Sequence, residues 1–228
     1  MCGRFVQYSE PEIYASHFQL DVICQASPRY NVAPTQPVLA IRETDAGKRE
    51  LVPLRWGLVP SWSKGPDSRF QMINARAETV KSKPAYRNAF RQRRRLIPAE
   101  GFYEWKAGKG SKTPFLIRRA SGEPFAMAGL WERWHGVDGL DGDTIESCTI
   151  IVTDANDLVR EIHDRMPAIL GREDYAAWLD PGNKDAEGLL AMLKPADAAP
   201  WTMYPVSRQV NSPRNDGPGL LDPVDSKP

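Results

Sequence analysis

The sequence predicts a single β-rich α+β domain, a distorted barrel-like antiparallel sheet with helices packed around it. Three observations lead there. From Arg29 onward the chain breaks into short apolar runs punctuated by Pro and Gly, many of them aromatic or β-branched, which suits a pleated, half-buried surface. Helical patterns between these runs are few and short. The 228 residues are 41% hydrophobic and include seven Trp, seven Tyr and seven Phe, enough to bury a real core. No linker or internal repeat divides them.

Taken in order, SEPEIYASHF reads as a first helix, with Ser9 as its N-cap and Glu12 three residues on completing a capping box. VLAIRE, LVPLRWGLV, RRLIPAEGFYEWK, TPFLIRR, FAMAGLWERW and CTIIVT read as strands. YRNAFRQR is a helix between two of them. DANDLVREIHDRMP is another, capped by Asp154 or Asn156 and stopped by Pro167. REDYAAWL and AEGLLAML add two short helices, and WTMYPVSRQV a late strand. HGVDGLDGDTIES is an acidic, Gly-rich hairpin loop. SPRNDGPGLLDPVDSKP, rich in Pro, Gly and Asp, reads as a loose tail, so the domain is expected over 1–210 and a flexible segment over 211–228.

Composition excludes several classes. No 18-residue apolar run exists to form a transmembrane helix, and the first twenty residues lack the apolar stretch of a secretory signal, so the cytoplasm is expected. Cys2, Cys24 and Cys148 are odd in number and widely spaced, giving neither a disulfide framework nor a CxxC pair. Three scattered histidines complete no metal set, and neither metal nor cofactor is expected. The net charge of +1 does not announce a nucleic-acid binder; binding of that kind would rest on local patches.

The candidate chemistry lies in polar residues with apolar or aromatic neighbours, each of which also has a plain structural reading. Cys2 follows the initiator Met1. It reads as a small buried hydrophobe or, once Met1 is removed, as a residue carrying a free α-amine and a thiol on adjacent carbons. Glu104 stands between Tyr103 and Trp105. Strand alternation would put it with Phe102 and Lys106 on one face, and an exposed edge strand would explain it. His163 shares a helical face with Val159, Ile162 and Met166, as a half-buried core histidine would. Asn74, in MINARAE, fits a turn before a strand. In RWGLVPSW, Arg55, Trp56 and Trp62 fit core packing; in RNAFRQRRR, five Arg fit a solvated helix face or a phosphate-binding strip. Trp beside Arg is also the composition of a single-strand groove, where bases stack on rings and guanidiniums hold phosphates.

In combination these segments are specific. MCGRF at the start, then RYNVAP, RWGLVPSW, INARAET, EGFYEW, AGLWERW, IVTDAN and HDRMP, run in the order and spacing of the SOS response-associated peptidase (SRAP) family. The chain resembles that family from Met1 to about Val210.

The resemblance implies a protein that binds single-stranded DNA containing an abasic site and cross-links to it, with Cys2 as nucleophile after removal of Met1. The residues make chemical sense of this. The open-chain abasic sugar is an aldehyde, and a neutral α-amine attacks it to give an imine. The thiol then closes onto the imine carbon, completing a thiazolidine in an intramolecular step. By resemblance Asn74 holds the reactive terminus, Glu104 shuttles protons and His163 assists opening of the sugar ring. Arg4, Arg76 and Arg165 fit phosphates, Trp62 and Trp105 fit base stacking, and Thr153 with Asn156 walls the same pocket. The expected partners are single strands at forks or junctions, met by a monomer that is cytoplasmic and nucleoid-associated when bound. Abasic-site lyase and self-processing peptidase activities are implied alongside. Two other readings stay open: a cysteine peptidase using Cys2, Glu104 and His163 on protein substrates, and a non-catalytic single-strand binding module.

Overall fold

A computed structural model describes residues 2–44, 46–67, 71–108, 110–136 and 144–225. The elements are β1 (Arg4–Gln7), α1 (Pro11–Phe18), β2 (Arg29–Val32), β3 (Pro37–Glu43), β4 (Arg49–Trp56), β5 (Asn74–Arg76), α2 (Arg87–Gln92), β6 (Arg94–Ala99), β7 (Gly101–Ala107), β8 (Lys112–Arg119), β9 (Phe125–His135), β10 (Thr144–Asp154), α3 (Asp157–Arg160), β11 (Arg165–Pro167), β12 (Ile169–Leu170), α4 (Tyr175–Leu179), α5 (Ala186–Ala191) and β13 (Trp201–Pro205).

Strands dominate, as the apolar runs require, and they form two sheets. β10, β4, β3, β6 and β9 pair in turn, and β9 pairs back with β10, closing a five-stranded barrel. A ring with an odd number of strands cannot alternate direction throughout, and here the β4–β10 pair is parallel, Ser147 opposite Arg55. β5 also runs parallel to β10, Asn74 opposite Ile150. The second sheet has the order β13-β8-β7-β1-β2. Side-chain alternation in the barrel strands sorts the core into layers. Leu39, Ile41 and Leu96 pack with Tyr14, Phe18, Phe90 and Trp178 from the helices. Val38, Ala40 and Ile97 pack with Phe5, Phe102 and Ile117 of the second sheet, and Cys2 is in this layer.

Several expectations are corrected. RRLIPAEGFYEWK is two strands in different sheets, broken at Glu100, not one. The first helix has Glu10 at its N-cap and Pro11 in its first turn, where a missing N–H costs nothing; Ser9 turns to Glu100 instead of capping. DANDLVREIHDRMP forms only the short α3, capped by Asn156, whose side chain accepts from the Val159 N–H. Pro167 does not stop a helix but lies in β11, paired with Val152. The hairpin expected in HGVDGLDGDTIES joins β9 to β10, His135 opposite Thr144, while its residues 137–143 lie outside the described residues. WTMYPVSRQV ends as a strand at Pro205 and continues as a 3₁₀ turn, Arg208–Asn211.

The five arginines of RNAFRQRRR divide: Arg87 and Arg91 lie exposed on α2, as a solvated face would, while Arg93, Arg94 and Arg95 turn to other partners. Arg94 is 1% exposed and donates to the carbonyls of Phe90, Arg91, Trp178, Asp180 and Asn183, satisfying the ends of α2 and α4. Arg95 lies buried over the Trp131 ring, 4.4 Å from its centroid. Arg93 pairs with Glu132. The segment expected as a loose tail folds back: Leu220 is buried with Val206 and Val210, and the Val224 N–H donates to the Pro205 carbonyl at 3.0 Å.

Candidate functional site

The site is assembled from three strands and a turn. The register of β1 on β7, Arg4 opposite Tyr103, directs the start of the chain along Glu104 and Trp105. β5, held by β10, brings Asn74 to the same place. Its Nδ2 donates to the Cys2 carbonyl at 2.9 Å, and Tyr86 Oη donates to the Asn74 carbonyl at 3.2 Å. Asn74 is thus a strand residue that holds the terminus, not a turn residue. The Cys2 thiol is fully buried and donates weakly to the Arg4 carbonyl at 3.8 Å.

Glu104 is 3% exposed on a strand with neighbours on both sides, so the exposed-edge reading fails. Burial pushes its carboxyl above the ordinary range, and nearby positive charge, His163 included, opposes the shift. Burial, then the negative charge of Glu104, push the Cys2 thiol well above its ordinary value. Burial thus disfavours the charged form of each group.

His163 is not on a helix face, because α3 ends at Arg160. It sits in the turn before β11. Its Nδ1 accepts from the Arg165 N–H at 3.0 Å and also lies 2.9 Å from Asp164 Oδ1. The two contacts make opposite demands on Nδ1. The backbone N–H can only donate and Asp164 is largely solvent-exposed, so the bonding assigns the neutral ring proton to Nε2.

Two clefts border the residues around Cys2, one through Asn74 and the other through Glu104. One, about 590 Å³, is lined by Trp62, Met72, Asn74, Arg76, Lys83 and Tyr86 among others. The second, about 570 Å³, is lined by Glu104, Trp105, Ser111, Lys112, His163, Arg208 and Asn211. Trp62, 68% exposed, also borders a third cleft of about 540 Å³ with Arg55 and Lys64. Every cleft carries basic side chains, so the near-neutral chain presents a local positive path.

The other expected residues divide. Arg76 is exposed in the first cleft and Trp105 borders the second. Arg165 pairs with Glu78 and, at 3.1 Å, with Asp154. Arg4 donates to Asn31 Oδ1 and to the carbonyls of Val210 and Asn211, so it braces the fold. Thr153 is buried at the β10–β11 pair, and the Asn156 side chain caps α3 and donates to the Ala196 carbonyl. Lys83, Tyr86, Lys112, Arg208 and Asn211 were missed. They stand in turns or at element ends, where neither periodicity nor motif marks them.

A small strand-rich domain with an anchored cysteine at its start, a buried carboxylate near it and basic clefts at hand defines a candidate nucleophile site. The family model for SOS response associated peptidase (SRAP) matches residues 1–213, and the chain belongs to that family. It is 42% identical over 226 residues to abasic site processing protein YoqW of Bacillus subtilis (strain 168), covering 97% of this chain and 99% of that one. It is 34% identical over 237 residues to abasic site processing protein YedK of Escherichia coli (strain K12), covering 98% and 100%. Against abasic site processing protein HMCES of Gallus gallus the identity is 35% over 228 residues, covering 87% of this chain and 67% of that one. A crystal structure of a Bacteroides thetaiotaomicron protein superposes with a TM-score of 0.84 at 28% identity, covering 98% of this chain and 100% of the other.

Proposed function

We propose that this protein processes abasic sites in single-stranded DNA, capturing the exposed aldehyde as a covalent adduct of Cys2. The observation that carries the reading is the grip on the terminus: Asn74 holds the Cys2 carbonyl at 2.9 Å near the buried Glu104, and each of the two borders a basic cleft. The relatives' names supply the substrate class.

Removal of Met1 exposes the Cys2 amine. His163 hydrogen-bonds through Nε2–H to the sugar ring oxygen, and as the C1′–O bond breaks that oxygen gains a proton while the C1′ hydroxyl loses one, leaving an aldehyde, a 4′-hydroxyl and an unchanged imidazole. The amine adds to the aldehyde carbon, giving a carbinolamine. Glu104 takes a proton from the nitrogen and returns one to the departing hydroxyl, so water leaves and an imine remains. The thiol adds across the carbon–nitrogen double bond, its proton passes through Glu104 to nitrogen, and the thiazolidine closes. A neutral thiol suits this route, since sulfur loses its proton only as it bonds. A cysteine protease instead relies on a thiol of lowered pKa, the opposite of the shift at Cys2, which favours aldehyde capture over action on protein substrates. A lyase side reaction would proceed from the imine by β-elimination.

Arg76 and Arg165 serve phosphates and Trp62 a base, at forks or junctions, with the protein acting as a monomer at the nucleoid. Intact mass spectrometry after incubation with an abasic single strand tests the reading. The expected species begins at Cys2 and gains the mass of the DNA less one water. A protein that retains Met1, or gains no DNA, overturns it.

A further inference from the structure

Residues 208–216 run back across the second cleft and are fastened at three points. Asn31, fully buried, turns its Nδ2 to the carbonyls of Val210, Ser212 and Asn215 at 3.2, 3.0 and 2.8 Å. Asp216 accepts from the N–H groups of Tyr30 and Asn31 at 2.6 and 3.1 Å and from Arg29 Nε at 2.6 Å. These backbone donors belong to β2, the edge of its sheet, so the carboxylate caps donors that no further strand covers. At the cleft itself, Trp105 Nε1 donates to Asn211 Oδ1 at 2.8 Å, and Arg208 donates to Ser111 Oγ at 2.9 Å. The family match ends at residue 213, so Asp216, which fastens the strap, lies beyond it.

The strap supplies Arg208 and Asn211 to a cleft that already holds Lys112 and Trp105, and among the described residues the only carboxylate lining it, Glu104, is buried. This wall offers two exposed cations and an indole with its edge held. That is the chemistry of one nucleotide: cations for a phosphate and a ring for a base. The first cleft, bordered by Asn74, shares no lining residue with the second and does not touch the strap. We infer that the Asp216-latched strap forms a subsite for the nucleotide flanking the abasic sugar on one side only, with Lys112 and Arg208 as its phosphate contacts and Asp216 as a positioning residue.

The inference rests on the function proposed above, and its test separates the two. Cross-linking rates are measured on two oligonucleotides, one with the abasic site near the 5′ end and one with it near the 3′ end, so that each presents a long flank on a single side. Lys112→Gln with Arg208→Gln should shift the ratio of the two rates by roughly tenfold or more, the effect of losing charge-assisted hydrogen bonds. The slope of log affinity against log salt should fall by about 0.7 per lost phosphate contact, on the flank that occupies the subsite. Asp216→Ala should shift the rate ratio in the same direction, which a general loss of stability would not do. Equal slowing of both oligonucleotides, or a one-sided effect from Lys112 and Arg208 without one from Asp216, overturns the inference. Failure of the wild-type protein to cross-link either oligonucleotide overturns the functional reading instead.

Discussion

Glu100 and Glu104 stand four residues apart in AEGFYEWK, at the two ends of one turn of chemistry. Both are buried, 1% and 3% exposed, and burial raises the carboxyl of each. Yet they sit in different surroundings. Glu100 occupies the break between β6 and β7, where its Oε2 accepts from the Tyr8 N–H at 2.9 Å, with Ser9 and Tyr14 as further neighbours. Its role is to tie β1 and α1 to the point where the chain changes sheets. Glu104 borders a cleft and faces the Cys2 thiol and His163. A raised carboxyl is thus no mark of catalysis by itself. What distinguishes Glu104 is an opening through which a substrate can reach it.

Cys2→Ala removes the reaction that Glu104 is proposed to assist. The variant keeps an amine and can form an imine, but no sulfur remains to close the ring. The heat-stable adduct should fall to background on denaturing gels while affinity for undamaged strands persists. Undiminished stable adduct would move the nucleophile elsewhere.

The sharpest contrast is the isosteric pair. Glu104→Gln should slow single-turnover adduct formation about 10²–10⁴-fold, the usual worth of a general acid–base group, and slow its reversal alike. Glu100→Gln should cross-link at the wild-type rate, whereas Glu100→Ala should lose about 1–3 kcal/mol of stability by leaving the Tyr8 N–H unpaired. Stability against pH checks the shared property. A carboxyl held above its ordinary value lets the folded chain bind more protons than the unfolded one, so stability falls as pH rises from about 4.5 through the raised value. Glu104→Gln should flatten that fall in thermal melts. If both glutamine variants slow the reaction equally, Glu104 acts through structure.

A smaller effect is expected outside the buried centre. Trp62 is 68% exposed, so Trp62→Ala should leave the melting temperature in place while costing about 1–3 kcal/mol of single-strand affinity through lost stacking. A lowered melting temperature with unchanged affinity would make Trp62 a packing residue. Smallest is Arg76→Gln, which should reduce the salt slope by about 0.7. Arg165→Gln should change it less, because Arg165 is already paired with Glu78 and Asp154.

Local pattern made the strand-rich class, most strand positions, the cysteine behind Met1 and the family legible in the sequence. These depend on alternation, turn residues and short motifs, each written within a few neighbouring positions. The same local reading failed wherever partners distant in sequence decide. Alternation left Glu104 on an exposed edge, because it cannot tell that β1 and β8 flank β7. Helical spacing put His163 on a face of a helix that stops three residues earlier, where β11 is drawn into the barrel sheet by β10. Arg4 matched a phosphate ligand by motif, yet its guanidinium is committed to residues about 200 positions away. The arginine run reads as surface throughout, which holds for Arg87 and Arg91 but not for Arg94, to which α4 and its following turn supply carbonyls. Sequence alone determined which groups are present and that the chain would build strands around an aromatic core. Only the tertiary structure decided which charges are buried, which are spent on holding the chain and which face open space. Burial and hydrogen-bond partnership are set by pairings between remote segments, and no local period records them.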